Sequence, residues 1–245
     1  MSVAGERHWR YIPAIATTGA LQMAIDTWLW HHSDRPCLRF YTWQPAAISL
    51  GYHQRDLPDH WRSLVWRGQP LSLVRRPTGG RAVLHQGDLT YSIVAWGLGR
   101  SRRQVYQHLC QFLIQGWATL GYSLHFGSDV VLPYSQQSAN CFASATPADI
   151  TLAGGEKIIG SAQGWRGDRL LQHGSILLQP DPTLWQQVFG STPPSLALPP
   201  PENVQAALLN AFAEQWQVSL TPEPLTPAEW QDVKRIATLT AGSTP

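Results

Sequence analysis

A chain of 245 residues with 43% hydrophobic and 14% charged residues can bury a sizeable core and is too apolar for a disordered protein. Its formal net charge of +2, with no concentrated basic stripe, excludes a dedicated nucleic-acid binder. Residues 1–10, MSVAGERHWR, lack the apolar core of a signal peptide and no apolar run could span a bilayer, so a soluble cytoplasmic protein with no membrane partner is expected.

In chain order, residues 18–31 read as a helix opening at Thr17 or Thr18, with Leu21, Ile25, Trp28 and Leu29 as its apolar stripe. Residues 36–50 alternate weakly and predict one or two strands ending at Gly51. LSLV (71–74) and AVLH (82–85) flank a PTGG turn, and LTYSIVA (89–95) is a third strand. A long helix is predicted from about 101 to 119, its buried face carrying Val105, Leu109, Phe112 and Tyr106, Cys110, Leu113, Trp117. A polar stretch, 127–148, leads into the strands ADITLA, EKIIGSAQ and RLLQHGSILL. These are joined by Gly154-Gly155 and by Arg166-Gly167-Asp168-Arg169, both hairpin signals. TPPSLALPPP (192–201) is a stiff linker, and two short helices close the chain. The second opens on Thr226-Pro227-Ala228-Glu229, which fits a capping box with proline at the first helical position. Helices and mostly antiparallel strands in mixed order predict an α+β fold. The main domain is expected over 1–190, with 191–245 as a Pro-rich linker and short helical segment packed on it.

Three cysteines are too few and too odd in number for a disulfide scaffold, so each is expected to be a thiol. Cys37 in a strand and Cys110 on a helical stripe fit inert core positions, whereas Cys141 lies in the polar loop SANCFASATP. A loop cysteine beside an ammonium would carry a useful thiolate fraction. Lys157 and Lys234 are the only lysines. Alternation on EKIIGSAQ puts Lys157, Ile159, Ser161 and Gln163 on one face, predicted to line a cleft, and the smaller Ile158, Gly160 and Ala162 on the other. A solvent-exposed hairpin lysine is the alternative. In the PTGG turn, Gly79 and Gly80 permit close backbone approach to a ligand, and their N–H groups are candidate oxyanion donors. Arg75, Arg76 and His85 could face the same cavity. Arg100, Arg102 and Arg103 stand at the start of a helix, where the dipole disfavours cations; they are either a solvated helix end or a docking patch for an acidic carrier.

The block RRPTGGRAVLHQGDLTYS (75–92), followed by GEKIIGSAQ and then LLQHGSILL, resembles the lipoate–protein ligase and octanoyltransferase superfamily, related in fold to biotin–protein ligases. The resemblance covers roughly residues 15 to 180, and LQMAID resembles the family's first helix with Asp26 at its acidic position. NCFASATPADITLAGGEKIIGSAQ resembles the branch that holds the acyl group on a cysteine, with Cys141 as nucleophile and Lys157 beside it. Arg76, Gly79, Gly80, His85, Ser161 and His173 are the expected substrate-binding residues.

The resemblance implies a two-step acyl transfer that needs neither cofactor nor metal. The implied donor is octanoyl acyl carrier protein, and the acceptor is a lysine of a lipoyl domain or of the glycine cleavage H protein. Lys157 would stabilise the thiolate and take the amine proton; His85 and His173 would shape the pocket, and Val83, Leu84 and Ile176 are candidate walls for the acyl chain. Three other readings compete: an ATP-dependent lipoate ligase, an octanoyl amidotransferase between lipoyl-carrier proteins, and a degenerate scaffold that only binds acylated carriers.

Overall fold

The strand Asp88–Trp96 decides the architecture: Asp88 through Ala95 are all buried, as in a strand covered on both faces. The computed structural model describes residues 7–99, 101–127, 142 and 149–241. The chain begins with β1 (His8–Thr17), α1 (Gly19–His32), β2 (Cys37–Trp43) and β3 (Ala47–Leu50). A 3₁₀ turn over Asp59–Ser63 leads to β4 (Val65–Trp66), β5 (Gln69–Pro70), β6 (Ser72–Arg75), β7 (Val83–His85) and β8 (Asp88–Trp96). Then come α2 (Arg102–Thr119), β9 (Leu124–Phe126), β10 (Ile150–Leu152), β11 (Lys157–Arg166) and β12 (Arg169–Leu177). The chain closes with α3 (Pro182–Phe189), α4 (Pro201–Trp216), β13 (Ser219–Pro222) and α5 (Pro227–Ala241).

Eight strands form one sheet in the order β13-β1-β2-β8-β12-β11-β10-β9. β1 runs parallel to both β2 and β13, and the other pairings in that sheet are antiparallel. Alternation along β8 and β12 builds two cores. Tyr91, Ile93, Leu170 and Ile176 pack with Leu109, Phe112 and Trp117 of α2 and Leu208 and Phe212 of α4. Val94 and Leu171 pack on the opposite face with Ile25 and Leu29 of α1 and Val233 of α5. A smaller sheet, β6-β3-β7, shares a third core with α3 through Ile48, Leu84, Trp185 and Val188. The α+β expectation is met.

The helix ends follow the predicted chemistry. Ser101 accepts from Gln104 N at 3.4 Å, and in the capping box Thr226 Oγ1 accepts from Glu229 N at 3.2 Å while Glu229 Oε2 accepts from Thr226 N at 2.7 Å. The apolar stripe of α1 differs from its expectation. Leu21 and Trp28 are half-buried, whereas Gln22 and Asp26 are fully buried, because this helix turns a polar edge toward the sheet. β1, β13 and α3 are among the elements that left no usable pattern in the sequence. β1 carries Pro13 and pairs with strands remote in the chain, so no hairpin turn marks it; α3 has only eight residues, too few to establish a helical period.

Candidate active site

The PTGG turn is held together by the two arginines that precede it. Arg76 is buried, and its guanidinium fills the inside of the turn. Nε and Nη2 donate to Gly79 O at 3.1 and 2.8 Å, Nη2 to Arg81 O at 2.7 Å, and Nη1 to Ser49 O at 3.0 Å and Ser49 Oγ at 3.2 Å. Arg75 works on the other side, donating to Gly51 O at 2.8 Å and Gln54 O at 2.6 Å. Charge at this turn therefore satisfies backbone carbonyls that a tight bend would otherwise strand. Gly80 needs its φ of +97°, and a Cβ on Gly51 would lie 1.8 Å from Gly80 O. The turn sits directly on the Gly51 backbone.

Two histidines flank this turn, each held between a carboxylate and a hydroxyl. His85 Nδ1 lies 2.8 Å from Asp88 Oδ2, and His85 Nε2 lies 2.8 Å from Ser49 Oγ. Asp88 Oδ2 also accepts from Thr90 Oγ1 at 3.0 Å and Ser175 Oγ at 2.7 Å, and the Trp43 ring stacks on His85 with centroids 3.8 Å apart. Burial pushes the His85 pKa down against the opposing pull of Asp88. The neutral ring therefore carries its proton on Nδ1, facing the carboxylate, and Nε2 accepts from the Ser49 hydroxyl.

His173 repeats the arrangement with Nδ1 at 2.9 Å from Asp26 Oδ2 and Nε2 at 2.5 Å from Thr78 Oγ1. Asp26 is fully buried. Burial raises its pKa, but Arg39 at 3.6 Å and the hydrogen bonds from His173 and Tyr41 outweigh it and hold the carboxyl below its usual range. Both imidazoles have orienting groups that the sequence analysis did not name. Asp88 stands three residues after His85 and is the signal that was available.

Between these histidines runs a slot with a cavity volume of about 50 Å³. Arg76, Gly80, His85, Ser161 and His173 line it, with Met23, Tyr41 and Trp43 at one end and Gly160 and Ala162 at the other. Gly79 is not among the lining residues, and its carbonyl accepts from Arg76. Val83 is a wall of the slot as expected, whereas Leu84 and Ile176 belong to the third and first cores.

Of the polar face predicted for β11, Ser161 borders the slot, whereas Lys157, Ile159 and Gln163 pack elsewhere. Tyr91 OH donates to Ser161 Oγ at 2.8 Å, Gln163 Nε2 donates to Gln172 Oε1 at 2.8 Å, and Gln172 Nε2 donates to Tyr91 OH at 2.9 Å. These groups form a closed network against α2, and the small residues face the slot. A register shift between β10 and β11, where Ile150 pairs Ile159 but Thr151 pairs Lys157, also breaks strict alternation at the start of the strand. Ile158 and Ile159 consequently enter the same core.

Lys157 is buried rather than exposed on a hairpin. Its Nζ lies 2.8 Å from Asp149 Oδ1 and 5.3 Å from the centroid of the Phe142 ring, which in turn packs on Trp185. Cys141, the preceding residue, lies outside the described residues. The other two thiols are buried, and burial pushes the Cys37 pKa up to about 11 and the Cys110 pKa up to about 12, far from thiolate chemistry at neutral pH. Arg102 and Arg103 are exposed at the start of α2, with the Arg102 guanidinium 5.8 Å from the Trp165 ring. Trp165 is eight residues along β11 from Lys157, roughly 26 Å at strand rise. Arg100 lies outside the described residues. Among the described residues no helix is long and apolar enough to cross a membrane.

Residues 18–210 match the family model of the lipoyl protein ligase A/B catalytic domain. The octanoyltransferase LipM of Lysinibacillus sphaericus is 36% identical over 197 residues, which is 74% of this chain and 70% of that protein. The LipM of Halalkalibacterium halodurans is 30% identical, with 94% of both chains covered. In solved structures, the bi-partite lipoate protein ligase of Thermoplasma acidophilum matches with a TM-score of 0.75 at 19% identity, over 94% of this chain and 92% of that one. LipL1 of P. falciparum, in complex with lipoate, matches with a TM-score of 0.68 at 14% identity, over 95% and 72%. At those identities the likeness is one of fold. With the family model spanning most of the chain and LipM enzymes aligned along its length, the chain belongs to the lipoyl protein ligase A/B catalytic-domain family, in its octanoyltransferase branch.

Proposed function

We propose that the chain takes an octanoyl group from acyl carrier protein onto Cys141 and passes it to a lysine of a lipoyl domain or of the glycine cleavage H protein. The observation that carries this reading is the buried Lys157 ammonium over the ring of Phe142, the residue that follows Cys141. Three residues further along β11, Gly160 opens onto the slot. Lys157, Phe142 and the slot are thus neighbours, which supports this reading.

In the first step the Cys141 thiolate attacks the carbonyl carbon of the donor thioester. The new C–S bond forms, the donor C–S bond breaks, and the donor leaves as a thiolate that takes a proton. The Lys157 charge favours the thiolate, and N–H groups of Gly79 and Gly80 are the proposed oxyanion donors. In the second step an acceptor amine attacks the octanoyl-Cys141 carbonyl, an amide bond replaces the C–S bond, and the amine proton returns to the sulfur through Lys157. Burying the methylenes of the chain contributes on the order of 5 kcal/mol before binding costs. Arg76, His85, Ser161 and His173 hold the shape of the channel.

The test is intact-mass spectrometry after incubation with octanoyl acyl carrier protein, followed by peptide mapping. One octanoyl adduct on Cys141, discharged by an added lipoyl domain, is expected. An active enzyme with no adduct, or with the group on another residue, would falsify the covalent route.

A further inference from the structure

The slot does not end in solid core. A second, half-open cleft of about 270 Å³ lies between α1, α5 and the PTGG segment, walled by Ala20, Ala24, Thr27, Val74, Pro77 and Ile236. Tyr52 and Thr240 form its exposed edge. It is more than five times larger than the slot, and the two share only Met23 and Arg76 as lining residues. Whatever separates them is made by those two side chains.

Arg76 is pinned by five hydrogen bonds to Ser49, Gly79 and Arg81. Met23 has no such restraint. It is buried at 6% exposure in a small apolar cluster with Tyr41, Trp43 and Val74. Trp43 is fixed by its stack on His85 and by donation from Nε1 to Thr90 Oγ1 at 2.8 Å, and Tyr41 by its bond to Asp26. The partition is therefore one unbranched thioether among rigid neighbours, the side chain best suited to yield or to block. The slot crosses from β11 through β12 and β8 to β2, three strand spacings or roughly 14 Å, and Met23 stands at the β2 end.

We infer that Met23 sets the length of acyl chain the slot accepts, and that the cleft beyond it is an extension site for longer alkyl chains. The inference rests on the acyl-transfer reading above. Much of its wall suits an alkyl tail: Ala20, Ala24, Val74 and Ile236 present small or aliphatic surface, and the lining arginines Arg75 and Arg76 are engaged with backbone carbonyls.

The experiment compares kcat/KM for octanoyl and dodecanoyl pantetheine thioesters in the full-length protein. Met23→Ala should raise the dodecanoyl-to-octanoyl ratio at least tenfold over wild type. Adding Ala20→Leu, which fills the cleft, should return the ratio to the wild-type value. If Met23→Ala does not fold, Met23→Val removes less volume and carries the same expectation with a smaller rise. Wild-type protein that transfers neither chain overturns the acyl-transfer reading itself. Wild-type protein that transfers octanoyl, with a ratio unmoved by Met23→Ala or Met23→Val, overturns the assignment of Met23. A ratio that rises but does not respond to Ala20→Leu overturns the assignment of the cleft.

Discussion

Lys157 and Asp149 form a buried ion pair, with Nζ 2.8 Å from Oδ1 and both side chains almost withdrawn from water. A lysine so placed is held in position by its partner, and its removal has two consequences. Lys157→Ala should lower acyl transfer by at least about a hundredfold, the scale of losing a positioned charged group. It should also destabilise the fold by roughly 3–5 kcal/mol, because the Asp149 carboxylate stays buried without its cation. Urea melts and single-turnover rates on Lys157→Ala, with Asp149→Asn as the reciprocal variant, separate the two. A Lys157→Ala protein with wild-type melting midpoint and turnover would return this lysine to the periphery.

Gly51 is expected to be as sensitive as any charged residue of the site. Its added methyl group would collide with Gly80 O. Gly51→Ala should cost about 1–3 kcal/mol through forced displacement of the turn. Transfer should drop by about a hundredfold, since misplacement on the ångström scale suffices for that. Full activity in Gly51→Ala would show that the turn tolerates movement and that Gly80 has no geometric role.

Thiol labelling should divide the cysteines sharply. At pH 7 in the folded protein, iodoacetamide should modify Cys141 and spare Cys37 and Cys110, whose thiols burial holds at about 11 and about 12. In urea all three should react. Labelling of Cys37 or Cys110 in the native protein would contradict their placement in the cores.

For the helix-start arginines we propose a steering role. Arg102→Glu with Arg103→Glu should weaken transfer from an acidic carrier at low salt and leave a small octanoyl thioester nearly untouched. The patch lies roughly 26 Å from Lys157 along β11, more than two Debye lengths at physiological salt, so the chemistry does not sense it. The difference between double variant and wild type should vanish as salt rises. Equal losses on both substrates would indicate damage to α2 instead.

Stability should fall in mild acid. Burial lowers the folded-state pKa of His85 below its ordinary 6.5, so the unfolded chain binds that proton more readily. The contribution is complete above about pH 6.5 and is lost as pH falls through the lower folded value. Asp26, also depressed, adds to the loss only below its ordinary 3.8. Denaturation midpoints at pH 7.5 and 5.5 should differ in wild type and differ less in His85→Gln. An equal drop in both proteins would remove His85 as the source.

Much of the site was legible because its residues are clustered in the chain. Arg76, Gly80 and His85 sit within ten positions, and Ser161 and His173 lie on the two strands of one hairpin, so placing the motifs placed the slot. What stayed hidden depends on which way a side chain turns. Gln163 looks like a cleft residue by its polarity, yet its partner Gln172 is a polar group on the core side of the neighbouring strand, and Ser161 borders the slot while its hydroxyl accepts from Tyr91. Likewise Arg75 and Arg76 could both face the cavity by their position, whereas they donate to backbone carbonyls of the PTGG turn and of residues 51–54. Polarity announces that a partner is needed and not where it stands. The pairing of Asp26 with His173 joins positions 147 apart, and nothing local in either segment implies it.

The parallel edge where β1 lies against β13 bears on how the chain is made. His8 pairs with Ser219 and Tyr11 with Pro222, and Arg10 reaches Glu229 at 2.6 Å. During synthesis at about 5–20 residues per second, the outer side of β1 waits roughly 10–40 s for the strand that covers it. Through that interval a row of backbone donors and acceptors is open to any other extended chain, the condition under which sheet edges recruit strangers. The short strand β13 therefore acts as a seal on β1, and nascent chains stalled short of residue 219 should be the species that chaperones hold and that aggregate without them.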